Sequence, residues 1–321
     1  MKILVTGGSG FIGTNLVEAL LKAQIPVVNL DKQEPLNSAH KTYWRKADIL
    51  NLTEMTREFR DFRPTHVVHL AGRTDLNESK NISAYAANHE GTENCLTAID
   101  TTATVTRVVI ASSMLVCRLG YVPKTDNDYM PNSLYGESKV KVENIVRRSQ
   151  LRCPWVLVRP TTIWGPWSFR LKDGFFRMLR KGYYVHPGGD VCVRSYGYVG
   201  NCVQQIQKFL ECPAQDVQGK TFYVSDANVN VKDFTDAFSK RLLGRPVRIV
   251  PRALLGVAAR CGDVAVRIGI KSFPLTTCRL LNMTTDNVID IQPTLAVTGA
   301  PKYTFSDGVE RTAQWLESVG I

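Results

Sequence analysis

Residues 6–13 read Thr-Gly-Gly-Ser-Gly-Phe-Ile-Gly, and no other stretch of the chain limits its fold as strongly. Gly7, Gly10 and Gly13 are spaced G-x-x-G-x-x-G. An apolar run, Ile3-Leu4-Val5, precedes them. Phe11, Ile12, Leu16, Ala19, Leu20 and Ala23 follow at a helical period. Glycines between a strand and a helix allow a tight turn and a close approach of the backbone to another group. The helix start then presents unpaired N–H groups and partial positive charge, which suits an anion. A strand that turns directly into a helix opens a βαβ unit, and such units build parallel sheets covered on both faces.

The first half keeps this alternation. Strands are expected at 26–30, 43–47, 65–70, 107–111 and 155–158, and helices at 52–62, 84–99 and 133–148. After Pro160 the pattern loosens. Helices are expected at 175–181, 198–210, 232–243, 252–268 and 307–318, with short strands at 191–194, 221–224 and 247–250. The expected class is α/β, a Rossmann-like doubly wound parallel sheet with a smaller C-terminal α/β substrate lobe. Residues 1–166 would form the dinucleotide-binding domain, with the chain returning to it around 196–224. Residues 167–321 would mainly form the lobe.

Asp31 ends the second expected strand, where a carboxylate can accept hydrogen bonds from adenosine ribose hydroxyls. A 2′-phosphate there would meet negative charge, which favours NAD over NADP. Lys32, Arg45 and Lys46 argue the other way.

The chain has 321 residues and a net charge of +11. Residues 1–160 carry +4 and residues 161–321 carry +7. No run of five Lys or Arg with interleaved aromatics occurs, so a nucleic-acid partner is not expected. The eight cysteines form no C-x-x-C pair and no zinc spacing, so no metal is expected. They read as reduced, cytoplasmic residues. The first strand begins at Lys2, which leaves no room for a signal peptide. No stretch approaches 18 apolar residues, so no integral membrane segment is expected. Residues 253–270 come nearest but contain Arg260, Asp263 and Arg267. They read as an amphipathic, core-facing helix, with a peripheral membrane contact as the alternative.

The chemistry is carried by Tyr135 and Lys139, which are i and i+4 and so share a helix face. A free phenol titrates near ~10, and a nearby ammonium can lower such a value by roughly 1–3 units. Tyr135 would then serve as general base and acid. Lys139 could also hold a nicotinamide ribose, and Ser113, after the strand at 107–111, could orient the substrate oxygen.

In this order, these features resemble the extended short-chain dehydrogenase/reductases that act on nucleotide-sugars. The resemblance runs over nearly the whole chain. Residues 6–13 match the family's TGGxGFIG, His69-Leu70-Ala71-Gly72 its HxAG, and Asn88-His89-Glu90-Gly91-Thr92 its N-x-x-G-T. Asp48-Ile49 resembles the element that contacts adenine, and Arg159-Pro160 through Gly165-Pro166 its RPxxxYGP turn. Gly299 to Val309 resembles the family's ending. The resemblance implies a catalytic set of Ser113, Tyr135 and Lys139. It implies NAD contacts at Gly7, Gly10, Phe11, Ile12, Gly13, Asp31, Asp48, Ile49, Leu70, Ala71, Gly72 and Asn88. It also implies substrate contacts at Ser113, Thr162, Arg194 and Arg279, the arginines gripping the diphosphate.

The residues after Ser113 separate the family's reactions. Sugar 4,6-dehydratases carry an Asp-Glu pair there, and nucleotide-glucuronate decarboxylases a Glu. This chain has Met114-Leu115, which supply neither acid nor base. What remains is chemistry that needs a hydride and one proton. The 4-epimerases of UDP-sugars match best. The alternatives are a reductase or dehydrogenase of a nucleotide-keto-sugar or other alcohol, and a non-catalytic dinucleotide sensor. Thr162 departs from the epimerases' usual Asn, Cys117 and Trp164 from tyrosines, and Asn201 from an Asp. Trp164 and Trp167 read equally as pocket lining or as core. Relatives pair helices equivalent to 84–99 and 133–148 into a homodimer, and Leu96, Ile99, Val140 and Ile145 are compatible with that.

Overall fold

Strand alternation places successive side chains on opposite faces of the central sheet, and both faces are apolar. In the computed structural model, which describes residues 1–76, 78, 80–270, 273 and 275–321, the first half alternates strand and helix. These elements are β1 (Ile3–Thr6), α1 (Phe11–Lys22), β2 (Val27–Asp31), β3 (Trp44–Lys46), α2 (Leu52–Phe62), β4 (His66–His69), α3 (Ala86–Asp100), β5 (Arg107–Ala111), α4 (Leu134–Arg148), β6 (Trp155–Pro160) and β7 (Thr162–Trp164). There follow α5 (Phe169–Leu171), a π-helical turn at Lys172–Phe176, α6 (Arg177–Arg180), β8 (Val185–Gly188), β9 (Val193–Tyr198), α7 (Val199–Glu211), α8 (Ala214–Val217), β10 (Thr221–Val224) and β11 (Ala227–Asn230). The chain closes with α9 (Val231–Leu243), β12 (Arg248–Pro251), α10 (Arg252–Arg267), α11 (Thr277–Thr284), α12 (Gln292–Thr298) and α13 (Phe305–Ser318).

Seven parallel strands form the main sheet in the order β10-β6-β5-β4-β1-β2-β3. Leu4, Val67, Val108, Ile110 and Leu157 point to one face and meet α2, α3 and α4 through Phe59, Cys95, Ile99 and Val142. Ile3, Val5, Val68, Val109 and Val156 point to the other and meet α1 and α7 through Leu16, Leu20, Val203 and Phe209. The sheet is therefore doubly wound, as expected. Strand order reverses between β1 and β4, and the crevice outside their C-terminal ends is where this architecture binds ligands.

A third core is aromatic and belongs to the lobe. Trp164 packs edge-on against Phe234 and Phe238, and Tyr196 stacks on Phe234 at 4.3 Å between centroids. The lobe departs from the expected elements. The expected strand at 191–194 lies at Val193–Tyr198, between β11 and β7. The expected helix at 175–181 is the tail of a longer helical stretch that begins with α5 and passes through the π-helical turn into α6. Strands β7, β8 and β11 and helices α11 and α12 were not anticipated. The helix at 252–268 forms, but it buries only Leu255, Ala259 and Gly262.

Candidate active site

The loop after β1 is shaped by what its glycines leave out. Gly7 has φ +75°, and a Cβ there would lie 2.5 Å from the Ala71 amide nitrogen. The loops after β1 and β4 thus touch across the switch point, placing Leu70, Ala71 and Gly72 beside the glycine loop. Gly10 caps α1 with no side chain. The first-turn amides of Phe11, Ile12 and Gly13 have no side-chain cap, which fits a diphosphate. Phe11 and Ile12 also pack against the lobe core.

Asp31 stands at the end of β2. Its carboxylate accepts hydrogen bonds from the Ser9 amide at 3.1 Å and the Gln33 amide at 2.9 Å. Burial raises its pKa, against the pull of those two amides. Asp48 accepts from the Leu50 amide and lies 3.9 Å from Lys32. Ile49 is buried in the core. This donor and acceptor set, with an uncapped helix start and a carboxylate one strand over, fits an adenine dinucleotide.

Ser113 follows β5, and Tyr135 and Lys139 lie in the first two turns of α4. Ser133 caps that helix, its Oγ accepting from the Gly136 amide at 3.1 Å. Gly136 lets the helix start press onto the serine loop, since a Cβ there would collide with the Leu115 carbonyl oxygen. All three residues are buried. Ser113 Oγ accepts from the Leu115 amide at 3.1 Å, which leaves its own proton to donate.

The electrostatics differ from the expectation. Lys139 Nζ donates to the Ala111 carbonyl at 3.0 Å, and burial drives its pKa down to about 8, opposed by Glu143. Tyr135 is not made acidic. Burial raises its pKa, while Ser113 hydrogen bonding and, more weakly, Arg170 lower it. The ammonium is a turn away along the helix and is spent on a carbonyl.

Asn88 was expected at the cofactor, but every polar atom of its buried amide is engaged. Its Oδ1 accepts from the Arg73 amide at 2.7 Å, and its Nδ2 donates to the Arg73 carbonyl and to Ser138 Oγ. It locks the β4 loop to α4 and so supports Gly72 and Lys139 from below. His69 lies under the same loop, bridging Thr6 Oγ1 at 2.7 Å and Thr92 Oγ1 at 3.1 Å.

Arg194 leaves β9 as a buried side chain. Its Nη1 donates to the Asn282 carbonyl at 2.7 Å, and its Nε has no partner among the described residues. Arg279 is exposed on α11 and donates to the Phe273 carbonyl at 2.9 Å. Thr162 pairs with Tyr196 in the lobe sheet. Residues 286–287 tie this region to the serine loop. The Asn287 amide donates to the Val193 carbonyl and Asn287 Oδ1 accepts from the Gly120 amide. Trp164 is core. Trp167 sits in a left-handed backbone conformation, φ 71°, in a turn held to α1 by Asn15 donating to the Pro166 carbonyl. Asn201 donates to Asp226 and exchanges hydrogen bonds with the Tyr303 backbone.

One cluster went unrecognised in the sequence. Glu143, one turn past Lys139, is fully buried and accepts hydrogen bonds from Arg159, Ser112 and Tyr129. Its spacing of four from Lys139 on the same helix face was the available signal.

The NAD dependent epimerase/dehydratase family model matches residues 3–225, and the chain belongs to that family. The chain is 24% identical over 324 residues to N-acetyl-alpha-D-glucosaminyl-diphospho-ditrans,octacis-undecaprenol 4-epimerase of Escherichia coli O157:H7, across 98% of this chain and 94% of that one. It is 27% identical over 333 residues to UDP-glucose 4-epimerase of Vibrio cholerae, across 97% of this chain and 94% of the relative. The UDP-glucose 4-epimerase of Thermus thermophilus, solved as a complex with NAD, superposes with a TM-score of 0.74 at 22% identity over 99% of both chains. That likeness shows the shared fold.

Proposed function

We propose that this protein is an NAD-dependent epimerase of a nucleotide-diphosphate sugar, acting at C4. The observation that carries the reading is the company Tyr135 keeps. A buried phenol adjoins Ser113, with a buried lysine one turn further along the helix, while the residues after the serine, Met114 and Leu115, bring no carboxylate. The nearby acid, Glu143, is consumed by Arg159. Among the described residues next to Ser113, Tyr135 is thus the group left for proton transfer, which suits oxidation and re-reduction rather than elimination. The 4-epimerase names of the two relatives point the same way.

The amides of Phe11, Ile12 and Gly13 would hold the NAD diphosphate, and Asp31 the adenosine ribose. Bound NAD would supply hydride acceptance from C4 and hydride return to the other face of the keto-sugar. Tyr135, as the phenolate, takes the proton of the C4 hydroxyl on oxidation and, as the phenol, gives it back to the sugar oxygen on re-reduction, so the phenolate is regenerated each cycle. Ser113 Oγ donates to the same sugar oxygen. Lys139 retains two N–H donors beyond its bond to Ala111, suited to the nicotinamide ribose. A cationic ring beside Tyr135 would offset the burial that raises its pKa. Arg194, with an uncommitted buried Nε, is assigned to the sugar diphosphate.

We further assign the protein to the cytoplasm, in keeping with its eight free cysteines, and to a homodimer. The surface assigned to that dimer is the groove of about 630 Å³ between α3 and α4, lined in part by Leu96, Lys141 and Ile145. Ile99 turns into the core and takes no part.

The test is to denature purified protein and weigh what is released, then incubate native protein with UDP-sugars without added cofactor. Released NAD and a C4 diastereomer support the reading. Turnover that requires added cofactor and accumulates reduced nicotinamide identifies a dehydrogenase instead.

A further inference from the structure

Helix α10 is apolar on two faces, and only one of them is covered. Leu255, Ala259 and Gly262 turn inward. Leu254, Val257, Cys261, Val264 and Ile268 recur at spacings of three and four on the opposite side, and four of them are 62%, 62%, 55% and 74% exposed, in the order Leu254, Val257, Val264, Ile268. Cys261 is exposed as well. No element among the described residues covers this stripe, and a continuous exposed apolar strip of this kind marks an interaction surface.

Its charge setting selects the partner. Residues 245–285 contain seven Arg or Lys and one acidic residue, Asp263, so this short stretch carries more than half of the chain's net charge of +11. Asp263 is itself engaged, accepting from the backbone and hydroxyl of Thr277 at the start of α11. By helical spacing, Arg260 and Arg267 flank one edge of the stripe. An apolar stripe edged with arginines on a helix too short to cross a bilayer is the pattern of a helix lying in the lipid interface. A protein groove would supply apolar contact but no reason for one sign of charge.

We propose that α10 is a membrane-docking helix that seats the substrate lobe on an anionic bilayer, with Leu254, Val257, Val264 and Ile268 entering the acyl boundary and Arg260 and Arg267 meeting lipid phosphates. The consequence reaches the active site. The head of α10 borders a cavity of about 210 Å³ lined by Arg252, Val191, Met283 and Asp286. Asp286 accepts from the Val193 amide at 2.7 Å, and the neighbouring Asn282 carbonyl accepts from Arg194. Docking would therefore hold the diphosphate-gripping side of the lobe close to the headgroups, where a sugar diphosphate on a lipid carrier would be presented. That last step rests on the epimerase reading, whereas the docking itself does not.

The test is co-sedimentation of the full chain with vesicles of equal parts phosphatidylcholine and phosphatidylglycerol, against pure phosphatidylcholine. Binding is expected with the anionic vesicles and lost in high salt. Val257→Asp should weaken partitioning by about tenfold or more, and Arg260→Gln by about fivefold. Lys22→Gln, which removes the same charge from α1, should change it little. Melting curves confirm that the exposed variants fold. Epimerase activity on soluble UDP-sugars should survive in Val257→Asp, so failure of docking and failure of the enzymatic reading are distinguishable. The proposal is overturned if vesicles are not bound, if Val257→Asp binds as tightly as the parent, or if that variant instead abolishes self-association, which would give the stripe to a second copy of the chain.

Discussion

The carboxylate of Glu143 accepts two hydrogen bonds from the guanidinium of Arg159, each 2.8 Å long, with 0% and 1% of the respective side chains exposed. Burial alone would lower the Arg159 pKa, but hydrogen bonding to Glu143 and its charge raise it instead. Ser112 Oγ donates to the same carboxylate at 2.6 Å and Tyr129 Oη at 2.9 Å. The pair fastens α4, which carries Tyr135 and Lys139, to β6 beneath.

Removing one partner leaves an uncompensated buried charge, at a cost of about 3–5 kcal/mol. Arg159→Met should therefore lower unfolding stability by about that much in a urea titration. The double variant Glu143→Gln/Arg159→Met should lose less than the sum of the two single variants, because the pair acts as a unit.

Tyr135→Phe removes the proton carrier and leaves the ring in place. Turnover should fall by about 10²–10⁴-fold. Co-purified NAD should stay, since the phenol's role is in the chemistry. Loss of NAD in this variant, read by absorbance and mass, would instead make Tyr135 a cofactor ligand first. Lys139→Met is expected to reduce both turnover and retained NAD.

Asp31 holds the glycine loop through Ser9 and is the acceptor assigned to the ribose. Asp31→Ala should weaken NAD binding by roughly 10–100-fold, about the worth of one hydrogen bond to a charged group. It should weaken NADP binding less, because the repelling carboxylate goes too. Calorimetric titration with both dinucleotides measures the ratio, and an unchanged ratio would remove Asp31 from cofactor selection.

His69 makes the fold acid-sensitive. Burial, reinforced by the Lys139 charge, takes its pKa from 6.5 to about 3. Between those values the unfolded chain binds a proton that the folded chain refuses. The stability His69 contributes is thus fully present above pH 6.5 and is lost as pH falls toward 3. Burial depresses His40, His66 and His186 in the same direction. Asp226, raised to about 6 by burial, opposes them. The informative quantity is therefore the difference between parent and His69→Gln. Its urea midpoint should fall less steeply between about pH 7 and about pH 5.

Much of the sheet was legible because its strands are buried on both faces and its helices on one. The strand at 107–111 and the helix at 52–62 were read to the residue. Strands β7, β8 and β11 were not, since three or four residues of mixed polarity become strands only through partners far along the chain. The placement of Tyr135 and Lys139 on one helix, with Ser113 just after β5, was legible from order and spacing. Their electrostatics were not, because i and i+4 fixes a shared face but not the reach of Lys139 to Ala111. Helix α10 teaches the same lesson. Its period was visible, but two apolar stripes share that period, and sequence alone did not say which one the core would claim.

The edge strand β10 reaches the main sheet only after the chain has travelled through β7, β8 and β9, and helix α7 covers the sheet on that same return. A polypeptide cut at residue 166 would leave the backbone of β6 bare along one side and a greasy face uncovered, and should precipitate. Grafting the smaller lobe from one relative onto another would therefore require transplanting two separated blocks, one on each side of α7 and β10, with the intervening segment left native.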